Sequence, residues 1–487
     1  MSPARSRAKQ KSRRSPNPTS GGDPIPVSLV HLGCARNLID SELILGRMAE
    51  AGCLVTPDES EARVVVVNTC SFIGAARAES FGAIEERLSA KRAGELDAVV
   101  VAGCLVERYK RDLLRQYPDV DLWAEIGDYK QLGAEVARLG SKASGPAYLE
   151  AGRLRGDERE GGRLLATPGS YAYLRISHGC DHQCSFCAIP VMRGKHRSKS
   201  LDAVVAEARE LIDIGVRELV LVAEDSTAWG REHGAELPQL VEAIAELDGD
   251  HWVRVMYAYP NRFPWELTAL LRDHPRVASY LDMPIQHAAT DVLRAMRRHG
   301  SGDQVRRILD RLYEEVPDLT LRTTLLVGFP GEREEHVDEL VELVERYRLG
   351  RMGVFTYSPE EGTSGFDLPD RVDPEVAAER AERVLAARDA ALIAAQEARL
   401  GQRFEVLVDE VHAPLGPDAG EGDLIVARGA FDAPEVDLAC RFAAPSGRFR
   451  AGDRLEVQAL EVDRESDHGA LDLIVEPVST DSPEESA

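Results

Sequence analysis

The chain has 487 residues, of which 44% are hydrophobic, and its formal net charge at pH 7 is −24. This length predicts about two to four domains, and no apolar run approaches the ~20 residues of a transmembrane helix. The acidic balance argues against nucleic acid as the main partner, because phosphate binding needs a basic face, and it permits a basic protein partner.

The chain begins with a basic stretch, residues 1–24, which holds six Lys and Arg residues and one Asp. No apolar segment follows it, so we interpret it as a disordered tail and not as a secretory signal. Eight cysteines in a long chain of this kind fit a reducing compartment, the cytoplasm. They indicate metal or redox chemistry rather than a disulfide framework.

Residues 25–140 predict an α/β domain with a parallel sheet, because strands and helices alternate three times. The predicted strands are 27–32, 64–67 and 97–102, and the predicted helices are 38–51, 75–91 and 106–116. Each strand is followed by a cysteine, namely Cys34, Cys70 and Cys104. Sites in such sheets form beyond the carboxyl ends of the strands, so these thiols are expected to converge. Three unrelated buried cysteines are the alternative.

A predicted linker, residues 141–167, leads to a second α/β domain, residues 168–398. Six strands are predicted at 171–177, 218–223, 252–258, 279–283, 321–327 and 352–357. Helices are predicted at 201–214, 239–247, 303–315, 335–347 and 376–398. Six such units predict a partial parallel barrel with its site at the carboxyl ends of the strands.

A loop with three closely spaced cysteines follows the first of these strands, at Cys180, Cys184 and Cys187. Three thiolates on one loop can hold three irons of a cubic iron–sulfur cluster and leave the fourth iron open. The spacing, three residues and then two, is typical of radical S-adenosylmethionine (SAM) enzymes. A structural zinc site is the alternative, but it normally takes four ligands from paired knuckles.

Residues 399–477 predict a small β-barrel, with strands at 404–410, 424–427, 436–441, 454–460 and 470–476. The two remaining cysteines, Cys53 and Cys440, are interpreted as small core residues. Residues 478–487 are acidic and poor in apolar side chains, so a disordered tail is predicted.

Over residues 26–476 the chain resembles the radical SAM methylthiotransferases, which carry one cysteine triad on an N-terminal α/β domain and one on a partial barrel. The resemblance implies two 4Fe-4S clusters, SAM as cofactor, and a C-terminal barrel of the TRAM type. It implies that Cys34, Cys70 and Cys104 bind an auxiliary cluster. It also implies that Cys180, Cys184 and Cys187 bind the cluster that coordinates SAM.

Two branches of these enzymes differ in substrate, which is either a tRNA adenosine or an aspartate on small-subunit ribosomal protein twelve. Several strings resemble the protein-modifying branch, the RimO family; they are 193–198, 224–230, 256–260, 280–287, 357–363 and 431–437. The implied reaction replaces a hydrogen on the aspartate β-carbon with sulfur and methylates that sulfur, using two SAM molecules. A tRNA adenosine methylthiotransferase and a non-catalytic ribosome- or RNA-binding module are the alternatives.

Charge in the C-terminal segment favours the protein substrate. Residues 399–476 hold 8 Arg, no Lys and 17 acidic residues, which would repel a phosphate backbone and attract a basic protein. An acidic surface kept for solubility is the alternative.

The resemblance implies SAM contacts from Phe186, Gly328 and Gly331, and Glu224 is expected to contact SAM because it ends the second strand, with a solvent-exposed carboxylate as the alternative. Substrate contacts are expected from Arg193 and Lys195, which belong to a basic patch beside the cysteine loop. The glycines would let backbone approach a ligand, and the basic side chains would hold a carboxylate. A turn chosen only for its geometry and an exposed basic face are the alternatives.

The expected partners are a small-subunit ribosomal protein or the assembled subunit, a reducing protein and a sulfur donor. No membrane partner and no stable nucleic-acid partner is expected.

Overall fold

The structure is a computed structural model that describes residues 24–127, 129–150, 162–298, 300–413, 422–464 and 471–478. The predicted basic and acidic tails lie outside these residues except at one position each, and so do residues 151–161 of the predicted linker. No helix in the described ranges combines the length and the apolar composition that crossing a membrane requires.

The first sheet has six parallel strands in the order β2-β1-β3-β4-β5-β6. Its strands are β1 (Pro26–His31), β2 (Leu54–Val55), β3 (Val64–Thr69), β4 (Ala98–Gly103), β5 (Leu122–Ala124) and β6 (Tyr148–Leu149). Its helices are α1 (Ala35–Glu50), α2 (Gly74–Ala93), α3 (Cys104–Tyr109), α4 (Leu113–Gln116) and α5 (Lys130–Gly140). Three of these strands were not predicted, since β2, β5 and β6 are too short to carry a periodic signal.

The strands at the centre of the first sheet are buried on both faces. In β3, Val64 and Val66 pack in the apolar cluster that includes α1, whereas Val65 and Val67 pack in the cluster that includes α2. A parallel strand covered by helices on both sides reads as one continuous apolar run, as β3 and β4 do. Cys53 lies in the first of these clusters.

The second sheet has six parallel strands in the order β14-β13-β12-β11-β10-β7 and forms an open, partial barrel. Its region contains β7 (Tyr171–Arg175), β8 (Ser177–His178), β9 (Arg197–Ser198), β10 (Glu218–Val222), β11 (Trp252–Val255), β12 (Val277–Asp282), β13 (Thr320–Val327) and β14 (Arg351–Thr356). Its helices are α6 (Ile189–Arg193), α7 (Leu201–Asp213), α8 (Leu237–Ala245), α9 (Leu267–Asp273), α10 (Thr290–Ala295), α11 (Gly302–Glu315), α12 (Glu334–Tyr347) and α13 (Pro374–Glu397). The short strands β8 and β9 pair separately, in antiparallel fashion.

The C-terminal barrel is closed and has the strand order β15-β16-β17-β19-β18. Its strands are β15 (Arg403–His412), β16 (Asp423–Gly429), β17 (Cys440–Ala444), β18 (Arg454–Val462) and β19 (Leu473–Pro477). Cys440 is fully buried in its core. The fold class predicted from the sequence is confirmed: two parallel α/β sheets are followed by a small β-barrel.

A buried charge network joins the C-terminal barrel to the second sheet. Glu218 on β10 accepts a 2.5 Å hydrogen bond from Nε of Arg254 on β11. Its other carboxylate oxygen lies 2.8 Å from Nη1 of Arg428 on β16. Arg428 also donates to Asp409 of β15, at 3.0 Å from Nη2. Each buried charge therefore faces a partner of opposite sign, as burial requires.

The loop between β16 and β17 carries acidic side chains into the same seam. Asp432 accepts a 2.7 Å hydrogen bond from Arg351 of β14, and Asp437 accepts one of 2.6 Å from the hydroxyl of Tyr280. Glu435 lies within this loop and has a positive φ of 65°. The sequence predicts a strand at 436–441, but β17 begins only at Cys440 because the preceding residues pack against the second sheet. The carboxylates of Asp432 and Asp437 are held by the protein itself and are not available to attract a basic partner.

Candidate active site

The first cysteine triad lies at the carboxyl edge of three adjacent strands. Cys34, Cys70 and Cys104 directly follow or closely follow β1, β3 and β4, which are neighbours in the first sheet. Gly33 has a φ of +107°, and a Cβ on it would lie 3.0 Å from Cβ and 3.2 Å from Sγ of Cys70. The missing side chain at Gly33 is what lets two of the three cysteine-bearing loops approach.

The thiols of this triad lie close enough to change one another's pKa values. Burial raises the pKa of Cys104 to about 11, Arg193 opposes this, and Cys34 and Cys70 add to it. Burial would also raise the pKa of Cys34, but Arg36, the Asn37 amide and Arg193 lower it below its ordinary value. A thiol whose thiolate form is favoured is a good metal donor.

The second cysteine triad lies on the loop that leaves the second sheet after β7 and β8. The amide of Cys180 donates to the carbonyl of Gly194 at 3.1 Å, and the amide of Cys187 donates to that of Cys184 at 3.1 Å. Gly179 has a φ of +72°, and a Cβ there would lie 2.3 Å from the Lys195 carbonyl oxygen. The chain can therefore turn at this point only with glycine.

Burial raises the pKa of both Cys180 and Cys187 to about 12, with a further contribution from the neighbouring thiols of the loop. The expected convergence of Cys34, Cys70 and Cys104 agrees with the adjacency of β1, β3 and β4 and with the effect of Cys34 and Cys70 on the pKa of Cys104. Arg36 lowers the pKa of Cys187 as well as that of Cys34, so a single guanidinium lies within electrostatic reach of both triads.

A cavity of about 310 Å³ opens beside the second triad and is lined from both sheets. All three thiols of that triad line it, together with Phe72 and Ile73, which follow Cys70. Residues on loops beyond the second sheet complete the wall; among them are Glu224, Tyr257, Tyr259, Gln286, Arg298 and Tyr357.

Two residues of the cavity wall have strained backbones. Tyr257 has a φ of +60° and Gln286 a φ of +75°, values that residues with side chains rarely adopt. The amide of Tyr257 donates to Asp282 at 3.1 Å, and that of Gln286 donates to the Thr324 carbonyl at 2.8 Å. Backbone strain that persists with such support is concentrated at functional sites.

Two of the four residues predicted to contact SAM line this cavity, and two do not. Phe186 and Glu224 line it. Gly328 has a φ of +73°, and a Cβ on it would lie 2.5 Å from Cβ of Ala377, so it allows close packing of α13. The amide of Gly331 donates to the Asp370 carbonyl at 2.9 Å. Both glycines serve the turn after β13, and a SAM contact from either stays a prediction.

The two residues predicted to contact substrate lie apart from each other. Arg193 is buried at the end of α6, where it donates to Asp40 at 2.6 Å and to the Cys104 sulfur at 3.3 Å. Arg175 donates to the other oxygen of Asp40 at 2.8 Å. Lys195 is exposed and, like Arg193, is not among the residues that line the cavity. The expected basic patch is therefore divided between a buried network and the surface.

Comparisons with known proteins agree with this arrangement. The Radical SAM superfamily matches residues 174–344, and "Uncharacterized protein family UPF0004" matches residues 26–125. The chain is 37% identical over 442 residues to "Ribosomal protein uS12 methylthiotransferase RimO" of Desulforamulus reducens, covering 90% of this chain and 98% of the relative. The protein of the same name from an Anaeromyxobacter species is 41% identical over 408 residues, covering 83% and 85%.

The chain belongs to the RimO family of radical SAM methylthiotransferases. Among solved structures, it is similar to TsrM of Kitasatospora setae, a radical SAM methyltransferase with cobalamin and a 4Fe-4S cluster bound. The TM-score is 0.52, with 14% identity, over 74% of this chain and 84% of that one. At this identity the likeness concerns the fold alone.

The donor set fits the iron–sulfur clusters and the SAM that this family uses. Within the described ranges, no three side chains of His, Cys, Asp or Glu surround a single metal-ion position. A cubic cluster makes no such demand, since each thiolate binds a different iron. Oε2 of Glu224 is buried at the cavity and has no hydrogen-bond partner there, so an ammonium donor would satisfy it.

Several residues that line the cavity were not predicted from the sequence. Arg36 had a local signal, because it lies two residues after Cys34 in the first turn of α1. Arg298 had none: it follows α10 and reaches the cavity only in the fold, where Nη1 lies 3.8 Å from the Cys184 sulfur. His182 also lines the cavity, and its Nε2 lies 2.7 Å from Asp225.

Proposed function

We propose that this chain methylthiolates the β-carbon of an aspartate in ribosomal protein uS12. The observation that carries the proposal is the position of Arg36, which follows the first thiol of one triad by two residues and lines the cavity of the other. A side chain bound in that cavity would lie between the two triads. Hydrogen abstraction and sulfur insertion at one carbon require such a place.

When bound, the two clusters and SAM supply a 5′-deoxyadenosyl radical, a sulfur atom and a methyl group. The protein holds them through its thiols: Cys180, Cys184 and Cys187 bind the SAM-coordinating cluster, and Cys34, Cys70 and Cys104 bind the auxiliary one. Three thiolates at each cluster leave one iron open for an exogenous ligand. The unpartnered oxygen of Glu224 would accept a hydrogen bond from the ammonium group of SAM.

The walls of the cavity determine what enters it. Phe72 and Phe355 line the cavity and are 40% and 52% exposed, so they form its mouth. Phe186 and Leu326 lie in the cavity wall within a common apolar cluster, where they limit access of water to the reacting atoms. An extended peptide segment can present one side chain through a mouth of this kind.

The substrate assignment rests on the names of the relatives and on charge. The net charge of −24 favours association with a basic ribosomal protein. In the C-terminal barrel, the exposed acidic residues that contribute are Glu405, Glu410, Glu456, Glu461 and Glu476. A reducing protein and a sulfur donor are required as further partners, and the cytoplasm, where ribosomes are assembled, is the place of action.

The test is mass spectrometry of uS12 and of bulk tRNA from cells with and without this enzyme, together with 5′-deoxyadenosine measured after anaerobic reconstitution. We expect one methylthio group on an aspartate of uS12 and SAM cleavage in vitro. Modified tRNA with unmodified uS12 would establish the tRNA reaction instead. The absence of SAM cleavage by protein with both clusters loaded would establish a non-catalytic module.

A further inference from the structure

Arg36 crosses the seam between the two sheets. It starts in the first turn of α1, and its Nη1 donates to the carbonyl of Ala223 at 3.2 Å, next to Glu224 at the end of β10. Its Cζ lies 4.7 Å from the centroid of the Tyr257 ring. A residue of the first domain thus supplies a cation to the cavity of the second.

The charges that line the cavity fall into two groups. Arg298 lies on the side of the second triad, with Nη1 3.8 Å from the Cys184 sulfur and Cζ 4.2 Å from the centroid of the Tyr259 ring. The carboxylate of Glu224 is the anion expected to meet the ammonium of SAM. Arg36 forms no ion pair at contact distance with a carboxylate of the described residues, although Glu224 and the Cys34 sulfur lie within its electrostatic reach. Because Arg298 lies against the second triad and Arg36 lies on the side of the first domain, Arg36 is the cation we assign to a second, anionic ligand.

The surroundings hold this guanidinium in one orientation. The positive φ of Tyr257 turns its ring against Arg36, and the hydrogen bond from its amide to Asp282 keeps the backbone in that conformation. A guanidinium has five N–H donors in a fixed fork, of which the Ala223 carbonyl takes one and the Cys34 sulfur another. The remaining N–H groups can donate to both oxygens of a carboxylate.

We propose that Arg36 binds the carboxylate of the substrate side chain and makes the site selective for aspartate over its amide. The inference rests on the proposed function, because it assumes that an acidic side chain is the substrate. In aspartate the carboxylate is one bond from the β-carbon, so a cation fixed between the two triads also places that carbon between them. Asparagine has the same shape but lacks the charge, and its amide nitrogen would face N–H donors.

If Arg36 only supported the structure of the Cys34 loop, a different result would be expected. Substitution of Arg36 would then change the affinities for the aspartate and asparagine peptides by the same factor. The ratio of the two affinities therefore separates the explanations.

The experiment compares two peptides of uS12, one with the target aspartate and one with asparagine at that position. Their dissociation constants are measured with the cluster-loaded enzyme and with its Arg36→Gln and Arg36→Lys variants. Arg115→Gln is the matched control, since Arg115 belongs to the same domain and its side chain is 82% exposed. Iron, sulfide and peptide-independent 5′-deoxyadenosine are measured for every protein.

The wild type and the control are expected to bind the aspartate peptide about 10- to 100-fold more tightly, the range of a charge-assisted pair. In Arg36→Gln the ratio should fall to within about twofold of one through weaker binding of the aspartate peptide alone. Arg36→Lys should keep only part of the preference, because an ammonium lacks the planar fork. An unchanged ratio in Arg36→Gln, or equal weakening of both peptides, would overturn the proposal.

Three further outcomes each have a defined meaning. If Arg36→Gln does not take up both clusters, Arg36→Lys decides, and a wild-type ratio in that variant refutes the proposal. If the wild type modifies tRNA and neither peptide, the proposed function fails and the inference with it. If the wild type modifies the aspartate peptide yet shows no preference over asparagine, only the inference fails.

Discussion

Arg108, on the helix that begins at Cys104, donates a 2.9 Å hydrogen bond from Nη1 to the carboxylate of Glu360, in the loop after β14. Arg77 on α2 pairs with the same carboxylate, whose side chain is 1% exposed. Arg108 also donates to the carbonyl of Ser71 at 2.8 Å, next to Cys70. The ion pairs of Glu360 with Arg108 and Arg77 therefore connect the loop after β14 to the segments that carry Cys70 and Cys104.

Glu360→Ala should therefore destabilise the protein strongly. Removing the carboxylate leaves two guanidinium groups unpaired, and breaking a buried pair costs about 3–5 kcal/mol. Denaturant unfolding measures the free energy, and Glu361→Ala is the control because that neighbouring side chain is exposed. Equal unfolding of both variants would show that the pair contributes nothing.

Gly33→Ala should impair the auxiliary site and spare SAM cleavage. The added Cβ would meet Cys70, and the positive φ would cost about 1–3 kcal/mol. Under the proposed ligand assignment, iron falls from about eight to about four per chain. Gly82→Ala is the control, since a Cβ there meets no atom within 4 Å. Full iron content in Gly33→Ala would contradict the expectation.

Substitutions in the two triads should affect different steps, SAM cleavage for the second triad and methylthiolation of uS12 for the first. Cys184→Ala is expected to abolish 5′-deoxyadenosine formation, because it removes a thiol of the proposed SAM-coordinating cluster. Cys70→Ala should keep much of that cleavage and form no methylthiolated uS12. The measurements are 5′-deoxyadenosine by chromatography and uS12 by mass spectrometry on the same reactions. Equal loss of both products in folded Cys70→Ala would refute the division.

The network at Glu218 predicts acid sensitivity. Burial alone would raise the pKa of Glu218, but Arg254 and Arg428 lower it below its ordinary value. A carboxyl with a lowered folded-state pKa stabilises the protein above its unfolded pKa, near ~4.3, and loses this contribution as pH falls through the folded pKa. The destabilisation by Glu218→Gln should thus be large at neutral pH and shrink in acid.

Urea unfolding of the wild type and of Glu218→Gln between about pH 3 and pH 7 measures this difference, since the Glu218 carboxyl and the neutral amide of the variant differ in charge only while Glu218 is ionised. Glu456→Gln serves as the control on an exposed position of β18. A difference between wild type and Glu218→Gln that does not vary with pH would show that the ion pairs contribute no charge-dependent stability.

The elements that the sequence predicted well are those with long periodic patterns. The six strands of the second sheet were expected within a few residues of their observed ends, because each alternates with an amphipathic helix. The convergence of Cys34, Cys70 and Cys104 followed from one rule about parallel sheets. Both results depend on information local to each strand.

What the sequence did not reveal depends on contacts between distant segments. Arg298 reaches the cavity from the loop after α10, and no local pattern marks it. Arg193 was expected at the substrate, but Asp40, more than a hundred residues earlier, holds it in a buried pair. The acidic balance of residues 399–476 predicts attraction of a basic protein, yet two of these acidic residues, Asp432 and Asp437, pack against the second sheet.

Under the proposed ligand assignment, the placement of the first triad on three separate strand ends would link this protein's lifetime to iron supply. A cluster held by Cys34, Cys70 and Cys104 would cross-link β1, β3 and β4, and a group that binds only the folded chain adds stability by mass action. In an iron-starved cell the first sheet would open more often, and proteases cleave open forms. Enzyme abundance would then decline together with its cofactor, and inactive copies would not accumulate on their ribosomal target.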